Sequence, residues 1–189
     1  MSSPTATYSY SDFREWAFDG DFIELIEGRP WHRRMAPGPV HQVVVDNLQA
    51  LLQPGAARAH SPLLTGGLVW LTAAPGTDAA ADTVVRPDLC LARDPAQVDG
   101  HGCIGAPDWV IEVLAAGSTA HDLKTKFDLY QRYGVAEYWL VTPELRCIIA
   151  YVLRAGQYQL QGEYAGPSAV PVQTWPGVAV SWADVFTGV

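Results

Sequence analysis

The stretch on which the fold turns is DWVIEVL, residues 108–114. Successive side chains of a strand point to opposite faces. Trp109, Ile111 and Val113 then share one face, and Val110, Glu112 and Leu114 share the other. Both faces are apolar apart from Glu112, which predicts a central strand covered on both sides. A carboxylate there is costly unless it is paired, protonated or bound to a metal. Residues 84–92, VVRPDLCLA, repeat the anomaly: Asp88 follows Pro87, and everything after it is apolar. If the two strands are neighbours, Asp88 and Glu112 converge on one divalent cation. Hard cations such as Mg2+ take oxygen ligands, commonly one or two carboxylates plus waters.

Two helices flank these strands in sequence. Residues 119–133 have a helical period, with Leu123, Phe127, Tyr130 and Tyr133 on one arc and Lys124, Asp128, Gln131 and Arg132 on the other. Lys126 falls inside the apolar arc, and Asp122 lies one turn earlier on the same side. A lysine aimed at a core implies a partner, and Asp88 or Glu112 could supply it. Residues 40–53 form the earlier helix, predicted to end at Pro54-Gly55. Val40, Val44, Val45, Leu48, Leu51 and Leu52 make its apolar face, and His41 projects onto the N-terminal end of that face. Before it, residues 22–35 read as a hairpin turning at Glu27-Gly28. Its second arm carries Arg29, His32, Arg33 and Arg34, the best local basic patch for phosphate contact, although a solvated strand face is the simpler reading.

The rest of the chain fits one α/β domain, residues 1–189. Residues 11–18 are a short helix with Ser11 as its cap, and residues 63–71, 137–141, 147–153 and 157–161 are strands. The tract between the Asp88 and Glu112 strands reads as loop, and residues 182–186 close the chain. At 49% hydrophobic and 17% charged residues, the sequence can build a core and is not a disordered one. No apolar run nears the roughly 18 residues that span a bilayer, and the first ten residues do not resemble a secretory signal. A cytoplasmic protein without membrane contact is the expectation. The three cysteines lack a Cys-x-x-Cys pair, which speaks against a disulfide framework or a zinc knuckle. A net charge of −8 counts against a strong non-specific DNA binder, but leaves room for an enzyme with a local basic patch. There is no Gly-x-Ser-x-Gly elbow, P-loop or dinucleotide fingerprint.

Read in order, the chain shows ELIEG at 24–28, His41 leading a helix, VVRPDL at 84–89 and APDWVIEVL at 106–114. Asp122-x-x-x-Lys126-x-x-x-Tyr130 and GVAEYWLVTPE at 134–144 follow. This series resembles the Uma-two family, a bacterial group classed with the restriction endonucleases, over about residues 12–186. The resemblance implies the PD-(D/E)XK nuclease fold, a restriction-endonuclease-like α/β core whose mixed central sheet is flanked by helices. Pro87-Asp88 matches the first half of that signature and Glu112-Val113-Leu114 the second. Leu114 stands where the signature lysine is usual, and Lys126 of the following helix fits the displaced position. Ala115-Ala116-Gly117 also departs from the Ser-Pro-Ser usual after the EVL triplet, which alters the turn rather than the metal site.

The resemblance implies an endonuclease acting on nucleic acid, DNA foremost. Asp88, Glu112 and the Val113 carbonyl would hold Mg2+ or Mn2+, and Lys126 would orient water or stabilise charge on phosphorus. Glu24, Glu27, His41 and Asp122 are accessory candidates, Glu24 first because it lies on a strand arm rather than in the turn. A homodimer is open, since nucleases that cut both strands often pair. Rival readings are an inactive member of the fold acting as a binding protein, a metal-dependent hydrolase of a small phosphodiester, and a purely structural Glu112–Lys126 ion pair. Tyr138-Trp139 reads as core rather than a base-stacking platform.

Overall fold

A computed structural model describes residues 7–12, 23–32, 38–72, 81–115 and 119–189. A hairpin of β1 (Ile23–Ile26) and β2 (Arg29–His32) leads to helix α1 (Pro39–Ala59). Short strands follow: β3 (Leu63–Thr65), β4 (Leu68–Trp70), β5 (Val84–Val85), β6 (Leu89–Leu91) and β7 (Gly102–Ile104). Next come β8 (Trp109–Val113), helix α2 (Ala120–Tyr133), β9 (Glu137–Thr142), β10 (Cys147–Arg154) and β11 (Gln157–Tyr164). The ribbon strands β12 (Ala169–Pro171) and β13 (Ala179–Ser181) and the one-turn helix α3 (Trp182–Val185) close the chain.

The DWVIEVL strand is central, as its two apolar faces require. β8 lies between antiparallel β6 and parallel β9 in a six-stranded sheet of order β11-β10-β9-β8-β6-β3, and all five of its residues are buried. Trp109, Ile111 and Val113 pack with Val44, Leu48 and Leu52 of α1. Val110, on the opposite face, packs with Leu129 and Tyr130 of α2 and with Val69 and Val85 of a second sheet. Burying each such side chain contributes about 1.5–3 kcal/mol. The parallel β8–β9 pair is joined by α2. This helix begins in a reciprocal cap, the Thr119 hydroxyl accepting from the Asp122 amide and the Asp122 carboxylate from the Thr119 amide, and ends at Gly134 with φ 87°.

The second sheet has the order β2-β1-β5-β4-β7. Residues 84–92 are therefore not one strand. They break at Arg86-Pro87-Asp88, with β5 in the five-stranded sheet and β6 in the six-stranded one. Pro87 has no N–H to give a ladder, and the Arg86 N–H goes to the Glu24 carboxylate at 2.7 Å. Residues 63–71 divide likewise at Gly66 (φ 60°), whose N–H donates to the Asp88 carbonyl at 2.9 Å. The β3–β4 and β5–β6 crossings between the sheets thus meet at Asp88.

Other expectations need correction. α1 runs through Pro54 to Ala59 because Pro54 and Ala50 are solvent-exposed, so water can satisfy the Ala50 carbonyl that proline leaves without a donor. Beyond it, Ala56 is still buried in the core. Val40 and Leu51, expected on the buried face, are exposed. The tract expected as loop holds a 3-10 turn at Pro95–Gln97 and strand β7. Near the start, Tyr10–Asp12 is helical and Ser9, not Ser11, caps it; residues 13–18 lie outside the described residues, as do 22 and 33–35 of the hairpin and 116–117 of the turn after EVL. The turn itself has Glu27 at φ 51° and Gly28 at φ 71°, the left-handed pair of a two-residue hairpin. All three cysteines are buried free thiols. No helix among the described residues is long and apolar enough to cross a membrane.

Candidate active site

The β6–β8 register sets Leu89 opposite Ile111 and Cys90 opposite Val110. One step further, Asp88 comes opposite Glu112. The Asp88 carboxylate is fixed by the Val113 N–H, which donates to Oδ2 at 2.7 Å. Val113 therefore meets Asp88 through its amide. Both acids are nearly closed to solvent, Asp88 at 7% and Glu112 at 5% exposure.

α2 delivers the cation. Lys126 Nζ lies 2.8 Å from Glu112 Oε1 and 2.7 Å from Glu24 Oε1, with the lysine side chain 12% exposed. Burial alone pulls this ammonium down, but the Glu112 and Glu24 carboxylates outweigh it and push it up to about 12. Lys126 is therefore a charged donor at neutral pH and not a proton acceptor. One turn on, the Tyr130 hydroxyl donates to Glu112 Oε1 at 2.7 Å. Burial first, then the nearby Glu112 and Glu24 charges, hold this phenol well above its ordinary value, so it stays a neutral donor.

His41 enters from the first turn of α1. It is 5% exposed, and Nε2 lies 3.2 Å from Asp88 Oδ1. That distance suits an ion pair, yet the geometry is not that of a hydrogen bond. Neither ring nitrogen has a hydrogen-bond partner among the described residues.

The structure thus gathers Asp88, Glu112, Lys126, Glu24 and His41. It leaves out two accessory candidates. Glu27 is solvent-exposed in the hairpin turn and pairs with Arg132 at 2.6 Å. Asp122 is used in the cap of α2, with Oδ2 accepting from the Thr119 amide and hydroxyl. Arg29 is exposed on edge strand β2; Arg33 and Arg34 lie outside the described residues. Two participants carry no site role in the sequence reading. Tyr130 stands in the apolar arc and in the Asp122–Lys126–Tyr130 series, and its i+4 spacing from Lys126 is the signal for such a role. Arg86 gives its amide to Glu24 while its own buried Nε has no hydrogen-bond partner among the described residues, and only its place beside Pro87-Asp88 hinted at this.

The donor set suits a divalent cation: two buried carboxylates, and a buried imidazole whose nitrogens have no hydrogen-bond partner among the described residues. Among the described residues no three His, Cys, Asp or Glu side chains already enclose one point. Glu112 Oε1 is instead turned to Lys126 and Tyr130, so seating a cation involves moving that carboxylate.

Mixed sheets flanked by helices, with this cluster where they meet, define a protein of restriction-endonuclease-like fold. The Uma2 family, described as "Putative restriction endonuclease", matches residues 10–183, and the chain belongs to it. The fold is shared with the crystal structure of "a putative nuclease belonging to DUF820" from Anabaena variabilis. The two are 18% identical, with a TM-score of 0.70 over 95% of this chain and 97% of that one. No curated protein matches the chain.

Proposed function

We propose that the chain is a metal-dependent endonuclease that hydrolyses phosphodiester bonds of nucleic acid, DNA foremost. Asp88 and Glu112 would hold Mg2+ or Mn2+, with the Val113 carbonyl and waters completing the shell. Such a cation, when bound, supplies Lewis-acid polarisation of the phosphodiester and acidification of water. The observation that carries the reading is Lys126, an ammonium 2.8 Å from the Glu112 carboxylate and 2.7 Å from that of Glu24. Charged at neutral pH, it is a donor able to orient the attacking water and to stabilise charge on the phosphoryl oxygens. The Val113 amide fixes Asp88, and the Tyr130 hydroxyl donates to Glu112 as it stands before a cation is seated. Family membership and fold support a nuclease.

The test is incubation with single- and double-stranded DNA and RNA and with a small aryl phosphodiester, each with Mg2+ or Mn2+, alongside Glu112→Ala and Lys126→Ala. Cleavage by the wild type that both variants lose is the expected result. Cleavage persisting in both excludes this site, and turnover of the small ester alone replaces nucleic acid as the substrate.

A further inference from the structure

We propose that His41 is a third ligand of the Asp88–Glu112 site and gives it a preference for Mn2+ over Mg2+. This rests on the metal-dependent reading above and adds the identity of the cation. The imidazole is placed from a rigid base, since α1 is anchored in the core by Val44 and Leu48, both fully buried. A buried ring nitrogen without a hydrogen bond is an uncommon and costly arrangement. Among the described residues both are without one, and Nε2 lies 3.2 Å from Asp88 Oδ1 without being aligned for a hydrogen bond to it. Adjacent donors on an octahedral cation, each about 2.1–2.2 Å from it, lie about 3 Å apart. Asp88 Oδ1 and His41 Nε2 therefore stand at the spacing of two neighbouring ligands of one ion.

The chemistry of the third donor selects the ion. Mg2+ keeps its waters and takes oxygen, whereas imidazole binds the first-row transition ions more readily. A site of Asp88 and Glu112 alone would show little preference; with His41 it favours Mn2+. The alternative is an imidazolium ion-paired with Asp88, which adds no nitrogen to a bound metal.

Mn2+ and Mg2+ binding are measured by calorimetry on the full chain and on His41→Gln, Asp88→Asn and Glu112→Gln. Electron spin-echo modulation of the Mn2+-loaded protein reads coordinated imidazole nitrogen, and a thermal melt of each variant checks folding. Wild type is expected to show nitrogen modulation. His41→Gln should lose it, with Mn2+ affinity lower by about 10–100-fold and Mg2+ affinity unchanged. Absence of nitrogen modulation in the wild type overturns the proposal whatever the variants do. Intact Mn2+ affinity in His41→Gln with binding lost in Asp88→Asn also overturns it, while leaving the metal site standing. Binding untouched by both Asp88→Asn and Glu112→Gln brings down the metal reading itself.

Discussion

Lys126→Met tests the centre of the site without reference to activity. Methionine keeps most of the length of the lysine stem and removes its charge, leaving Glu24 and Glu112 facing the space the ammonium filled. At an effective dielectric of 20, each contact near 2.8 Å is worth roughly 6 kcal/mol of attraction, much of it offset by the cost of taking the charges out of water. The side chains involved are 12% and 7% exposed, so solvent screens them little. Breaking a buried pair by removing one partner costs about 3–5 kcal/mol, and that is the expected loss near pH 7. Urea unfolding followed by tryptophan fluorescence measures it. A loss below about 1 kcal/mol, the range of exposed pairs, would refute the assignment of Lys126 as a buried bridging charge.

Two further outcomes follow from the same cluster. Tyr130→Phe removes one of the donors to Glu112 Oε1 while Lys126 remains, and should cost about 1.5–3 kcal/mol in urea unfolding, as for a hydrogen bond to a charged group; a loss within 0.5 kcal/mol contradicts the contact. Stability should also fall on the alkaline side. Tyr130 and Tyr138 are held well above 10.0 by burial and then by Glu112, and burial pushes the Cys103 thiol up to about 11. Raised folded values mean stability present below the unfolded values and lost above them, at about 1.4 kcal/mol per pH unit for each group. Unfolding free energies at pH 8, 10 and 11 read this slope, which Tyr130→Phe should reduce by one proton's worth; a flat profile contradicts it.

The centre of the site was legible because its residues break a period. Glu112 interrupts an apolar strand face and Lys126 an apolar helical arc, and each anomaly depends only on local geometry. Local geometry also ranks Glu24 above Glu27, a strand position against a turn. Tyr130 was hidden because its ring belongs in the core and hydropathy does not register its hydroxyl. The breaks at Gly66 and at Arg86-Pro87 were hidden because each run is apolar on both sides of the break. What divides them is tertiary: the Glu24 carboxylate takes the Arg86 amide, and the Gly66 amide turns to Asp88. Proline in α1 misled for a related reason, since the solvent that tolerates Pro54 is set by the packing of the opposite face.

Burial of an acid does not by itself mark the site, and Glu137 shows why. It opens β9 beside β8 and is fully buried, yet its oxygens accept from Trp139 Nε1 and from the Thr174 amide and hydroxyl, at 2.7–2.8 Å. Neutral donors from its own neighbourhood satisfy it, which is what a structural carboxylate needs. Glu112 is answered instead by an ammonium that it shares with Glu24. Sharing has a consequence in the proposed reaction. If Glu112 turns toward a cation, Lys126 does not become an unpaired buried charge, because Glu24 still holds it at 2.7 Å. Glu24 is itself fixed by the Arg86 amide at the crossing that presents Asp88. In the proposed reaction the hairpin arm would therefore act as a positioning element, keeping Lys126 paired and in place while the Glu112 carboxylate changed partner.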